Sequence, residues 1–212
     1  MQDRNPNFQP QRRLFLLGGL AACSNLAVGR AIAADHHHHH DHHAQSVPSG
    51  VKRHQSTYNV PTLNLVREDG SIANFPKELD DGRAVILQFF YTSCTTICPV
   101  SSQLFANVQD KLGRDLAKVH LVSISIDPEY DTPKRIAAHA RKFQARAQWQ
   151  HYTGSAETSV AIQRAFDAYV GDKMNHMPIT FLRAPAGKNW VRLEGFANAD
   201  QIVEEYRNLV RS

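Results

Sequence analysis

Sulfur is scarce in this chain: 212 residues include three cysteines, Cys23, Cys94 and Cys98, and three methionines. Three thiols cannot form the multi-bridge framework of a small disulfide scaffold. The apolar stretch Leu14–Ala22 is short and interrupted by glycine, a weak signal for a membrane span. No basic run with interleaved aromatics occurs, which sets nucleic acid aside as a partner. The Pro-x3-Thr-x2-Cys arrangement of a thiol peroxidase is absent as well. An excess of charge is also lacking. The chain holds 24 basic and 20 acidic residues, but residues 1–33 contain four arginines and one aspartate. Without them 20 and 19 remain, a net charge of +1, so the high isoelectric point says little about partners.

Residues 1–34 read as an export signal. Gln11-Arg12-Arg13-Leu14-Phe15-Leu16-Leu17 resembles a twin-arginine leader, and Ala31-Ile32-Ala33 offers small residues for cleavage near Ala33 and Ala34. Leu20-Ala21-Ala22-Cys23 also fits a bacterial lipobox, in which Cys23 would be lipidated and anchor the chain to a membrane. An uncleaved anchor is the third option. All three place the folded part outside the cytoplasm, in the periplasm, where disulfides persist.

Seven of the twelve histidines follow at once: His36, His37, His38, His39, His40, His42 and His43. An expression tag is normally an unbroken hexamer. Asp41 interrupts this tract, which reads instead as an auxiliary metal-binding tail. Neutral imidazoles suit Cu(II), Ni(II) and Zn(II) alike. Residues 44–57, rich in Ser, Gln and Gly, read as a flexible linker, so 35–57 is tail and linker. Residues 58–212 are enough for one domain with one core.

Within that domain, Val60–Val66 and Ser71–Phe75 flank Glu68-Asp69-Gly70, a hairpin signal. Ala84–Phe90 and Val119–Ile126 are continuous apolar runs of the buried-strand type. Helices are expected over Ser101–Leu112, Pro133–Phe143 and Ala156–Tyr169, the last burying Val160, Ile162, Ala165, Phe166 and Tyr169. Ile179–Arg183 and Trp190–Glu194 read as strands joined by Ala184–Gly187, and Asp200 as the cap of a final helix to Val210. A βαβ unit followed by ββα is the thioredoxin-like order. The fold class is α/β: a central mixed sheet flanked by helices, with an N-terminal β-hairpin.

Cys94-Thr-Thr-Ile-Cys98-Pro99 follows the first buried strand, where a helix begins. Thiols at i and i+4 lie on one helical face, and a helix N-terminus favours thiolate. Thiolate is both nucleophile and metal ligand, so redox exchange and soft-metal binding are both open. A structural disulfide is the plainer alternative, but so short a loop removes little chain entropy.

Four blocks in order resemble the Sco/SenC family, the copper-handling thioredoxin-fold proteins of cytochrome c oxidase assembly. They are Phe89–Pro99, with Cys-x3-Cys-Pro; Ser123–Pro133, with Asp-Pro and Asp-Thr-Pro; Thr153-Gly154-Ser155; and His176 ahead of a late hairpin. The resemblance covers roughly residues 58–211 and implies that Cys94, Cys98 and His176 bind one copper ion. Two thiolates suit Cu(I), and an added imidazole also tolerates Cu(II). It further implies a cuproenzyme client such as cytochrome c oxidase subunit II and a thiol reductant, because metal loading and disulfide formation exclude one another. Asp127 stands either as a turn former or as a carboxylate tuning the copper ligands. His120, His139 and His151 read as structural or surface, with His151 in a loop. The competing activity is thiol–disulfide exchange by Cys94 and Cys98, with Cys94 as nucleophile. Pro178, placed where thioredoxins carry a cis-proline, favours it. Met177 adds a soft thioether nearby, of the kind that loops usually pack away.

Overall fold

The structure is a computed structural model that describes residues 50–211. The leader, Cys23 and the histidine tract lie outside those residues.

Eight strands form one sheet: β1 (Lys52–Thr57), β2 (Asn64–Arg67), β3 (Ile72–Asn74), β4 (Ala84–Phe90), β5 (Val119–Ser125), β6 (Trp149–Thr153), β7 (Ile179–Arg183) and β8 (Asn189–Glu194). Five helices accompany them: α1 (Phe75–Leu79), α2 (Ile97–Leu112), α3 (Pro133–Lys142), α4 (Ala156–Ala165) and α5 (Ala199–Leu209). The strand order is β1-β8-β7-β4-β5-β6-β2-β3. β4, β5 and β6 run parallel, and every other pairing is antiparallel.

β4 and β5 lie at the centre and are buried at every position. Neighbouring side chains in a strand point to opposite faces, so an unbroken apolar run feeds two cores at once. Ala84 and Ile86 pack with Phe105 and Val108 of α2 and Ile202 and Tyr206 of α5. Val85, Leu87 and Phe89 pack on the other face with Ile162 of α4 and with Phe166. The Phe166 ring is fully buried, its centroid 4.9, 6.1, 5.2 and 5.1 Å from those of Tyr58, Phe89, Phe181 and Trp190. Truncating such a ring to alanine costs about 3–5 kcal/mol.

The expected hairpin forms as β2 and β3. Gly70 takes φ +87°, and Asp69 accepts hydrogen bonds from the Ser71 backbone and hydroxyl at 2.8 and 2.6 Å. Four readings need correction. Lys52–Thr57 is not linker but an edge strand paired with β8 from Lys52↔Glu194 to Thr57↔Asn189. Its side chains are mostly exposed, so backbone pairing and a bidentate Arg53–Glu205 ion pair order it, and no apolar pattern announces it. Trp149–Thr153 is a strand, and His151 lies in it, buried, rather than in a loop. α4 stops at Ala165, leaving Tyr169 exposed beside the Arg164 guanidinium. The cap of α5 is Asn198, in a reciprocal capping box with Gln201, while Asp200 pairs with Lys111 at 2.8 Å.

Candidate metal centre

The carboxyl end of β4 runs into the segment Tyr91–Thr96, and α2 starts only at Ile97. Cys98 is therefore in the first turn of the helix and Cys94 precedes it, so the two do not share a helical face. They meet another way. Thr96 makes no side-chain cap, and the Cys98 backbone N–H donates instead to Cys94 Sγ at 3.4 Å. The sulfur takes the place of a capping oxygen on one of the unpaired amides that open a helix. Pro99 follows in the same turn, where its missing N–H costs nothing.

This geometry splits the two thiols, both of which are free. Burial pushes the Cys94 thiol up, but hydrogen bonds from the Cys98 and Thr96 backbones and side chains outweigh it and bring it down to about 6. Burial pushes the Cys98 thiol far up, and the negative Cys94 and Asp131 add to the rise against an opposing backbone hydrogen bond at Tyr91. At neutral pH the pair is one thiolate and one thiol, with 8% and 2% of their surfaces exposed.

Asp131 fixes the loop. Buried, it accepts from Thr92 N–H at 3.2 and 3.1 Å, from the Thr92 hydroxyl, and from Ser125 Oγ at 2.6 Å. It thereby ties the residue two before Cys94 to the end of β5. Asp127 lies nearer solvent and accepts from Lys173 Nζ at 2.6 Å and from Ser93 Oγ at 3.4 Å. Lys173 belongs to the short turn Lys173–Asn175 that leads to His176, so Asp127 bridges the cysteine loop and the histidine loop. The sequence singled out Asp127 and passed over Asp131. Both stand in one Asp-Pro…Asp-Thr-Pro block, and only the turn decides which carboxylate faces inward.

His176 is 7% exposed and its Nε2 lies 3.1 Å from the Phe89 carbonyl. A carbonyl only accepts, so Nε2 carries the proton and Nδ1 keeps its lone pair. Burial lowers the His176 pKa, against the raising effect of that carbonyl, and keeps the ring neutral. Among the described residues, no three His, Cys, Asp or Glu side chains are already gathered to hold a metal ion. The ligand types are thus present at one end of the sheet, but not as a ready three-ligand cage.

No described peptide bond is cis, so Met177–Pro178 is trans and the expected cis-proline is overturned. Met177 is exposed rather than packed. His120, His139 and His151 are structural. His120 sits between the Glu78 carbonyl and Gln150 Oε1 at 3.0 and 3.1 Å. His139 meets Ser102 Oγ at 2.8 Å and stacks near Phe90, and buried His151 has no hydrogen-bond partner on either ring nitrogen.

The SCO1/SenC family model matches residues 55–211. The chain belongs to the SCO1/SenC family. A SCO1 protein homolog from Bacillus subtilis is 27% identical over 161 residues, covering 71% of this chain and 82% of that one. The chain spans only about half the length of two mitochondrial SCO2 homologues. Arabidopsis thaliana ScoI, solved with copper bound, superposes with a TM-score of 0.61 at 24% identity, over 74% of this chain and 99% of that one. BsSco, a cytochrome c oxidase assembly protein in which a disulfide switch was identified, gives 0.62 at 26% identity, over 72% and 94%. Mixed sheet and flanking helices are thus those of a Sco thioredoxin fold.

Proposed function

We propose that this member of the family is an exported copper chaperone. It holds one copper ion through Cys94, Cys98 and His176 and delivers it to cytochrome c oxidase subunit II or another cuproenzyme. The observation that carries the reading is the donor set at one end of the sheet: Cys94 Sγ held by the Cys98 N–H at 3.4 Å, and a His176 ring fixed through Nε2 on the Phe89 carbonyl at 3.1 Å, which leaves the Nδ1 lone pair for a metal. Thiolates and imidazole are the donors that accept copper in either oxidation state. Cys98 gives up its proton on loading, so affinity rises with pH. Asp127, salt-bridged to Lys173, holds the Lys173–Pro178 segment that carries His176 near the cysteine loop. Copper-bound and disulfide-switched relatives with this fold support the reading.

The test is a Cu(I) affinity measurement on the reduced chain lacking residues 35–43. His176→Ala should weaken binding by roughly tenfold or more, and an unchanged affinity would remove His176 from the ligand set. Export is tested by mass analysis of the mature N-terminus, which also decides whether Cys23 is lipidated.

The same thiol asymmetry supports a second reading, a thiol–disulfide reductant in which Cys94 attacks a client disulfide and Cys98 resolves the mixed disulfide. Rapid reduction of a model disulfide by a chain that binds no Cu(I) would favour it over the chaperone.

A further inference from the structure

Of three methionines in the chain, two bracket His176: Met174 and Met177. Both are exposed, 72% and 60%, although methionine is among the residue types most often buried. The segment that carries them is well tied down. The Lys173 ammonium is salt-bridged to Asp127, Asp172 caps the turn through the Met174 amide at 2.9 Å, and the His176 ring is anchored to Phe89. A held loop that shows two thioethers to water gains nothing in packing from them. Met174 Sδ also has an inward partner: the Tyr91 hydroxyl lies 3.6 Å away. Tyr91 in turn packs with Cys94 and Cys98 in one buried cluster, and its carbonyl accepts from the Cys94 N–H at 3.3 Å. A line of Met174, Tyr91 and Cys94 thus leads from solvent to the thiolate.

We propose that Met174 and Met177 form an entry site for Cu(I), a thioether platform that captures the ion at the surface and passes it to Cys94. The proposal rests on the copper reading above and adds the route by which the thiols are filled. Thioether sulfur selects Cu(I) over harder divalent ions and binds it more weakly than thiolate does, so the exchange runs inward. Each step is a ligand exchange: a methionine sulfur–copper bond breaks as a Cys94 sulfur–copper bond forms. Copper remains Cu(I), no electron moves, and Cys98 releases its proton to solvent as it joins.

The test uses the full chain with Cys23→Ser, Cys94→Ser and Cys98→Ser, which removes every thiol, and Cu(I) supplied anaerobically as its acetonitrile complex. Methionine methyl proton–carbon spectra, assigned with Met174→Leu and Met177→Leu, report each thioether separately from the histidine tract. Both methyl signals are expected to shift with Cu(I) and to stay in place with Zn(II). Signals that ignore Cu(I), or that respond equally to Zn(II), overturn the site. In the chain with both cysteines intact, Met174→Leu with Met177→Leu should slow Cu(I) uptake about fivefold while changing final affinity less than about twofold. An unchanged uptake rate overturns the entry role. Methyl shifts in the serine variant, with no Cu(I) held by the intact cysteines, would instead sink the chaperone reading while leaving a thioether site.

Discussion

The split between the two thiols makes a prediction in which opposing effects can be weighed. The perturbation is pH, and the assay is the alkylation rate of each cysteine by iodoacetamide, followed by mass spectrometry against a free-cysteine reference. With a pKa of about 6, half of Cys94 is thiolate at pH 6, whereas a free thiol of pKa about 8.5 is about 0.3% ionised. That is an advantage of about 160-fold. A low-pKa thiolate is a weaker nucleophile, and a Brønsted slope near 0.45 over about 2.5 units removes about 13-fold. Cys94 should therefore react about tenfold faster than free cysteine at pH 6. At pH 8 the ionisation advantage shrinks to about fourfold, and the same penalty leaves Cys94 about threefold slower. Partial burial multiplies both rates by one factor, so the change of about 40-fold in relative rate between the two pH values is free of it. Cys98, protonated and buried, should lag throughout. A relative rate that stays flat from pH 6 to 8, or Cys98 labelled first, would refute the helix-capping account of the thiolate.

Other outcomes follow from the same structure. Asp131→Ala leaves the Thr92 amide, the Thr92 hydroxyl and the Ser125 hydroxyl without their acceptor, and should cost about 3 kcal/mol in urea unfolding. Asp127→Ala breaks a pair whose lysine is largely in water; stability should change by less than about 1 kcal/mol, while Cu(I) affinity should fall roughly tenfold as the His176 loop loses its tether. Burial holds the His151 pKa at about 3. A histidine whose folded pKa lies below its unfolded value adds stability above the unfolded pKa, about 6.5, and loses it as pH falls toward the folded one. Replacing it by His151→Phe should spare about 2 kcal/mol of the stability otherwise lost between pH 6 and pH 4.5. An unchanged acid response would mean that the imidazole is charged inside the fold.

What the sequence determined by itself were the features written in contiguous residues. Ala84–Phe90 and Val119–Ser125 read as buried strands because both faces demand apolar side chains, and Glu68-Asp69-Gly70 read as a turn because its conformation needs Gly70. The motif Cys94-x3-Cys98-Pro99 after the first buried strand, with the ordered blocks around it, was enough to place the chain in its family. Other features depend on neighbours distant in sequence, and only the tertiary structure decided them. The polar segment Lys52–Thr57 becomes a strand because β8 offers it an edge. His151 is buried because β6 lies between β5 and β2. Asp131, rather than Asp127, is the inward carboxylate because the turn aims it at Thr92 and Ser125. The two cysteines meet through a backbone amide rather than along a helical face. Their unequal charge follows from that contact and from burial, and neither is visible in a spacing of four residues.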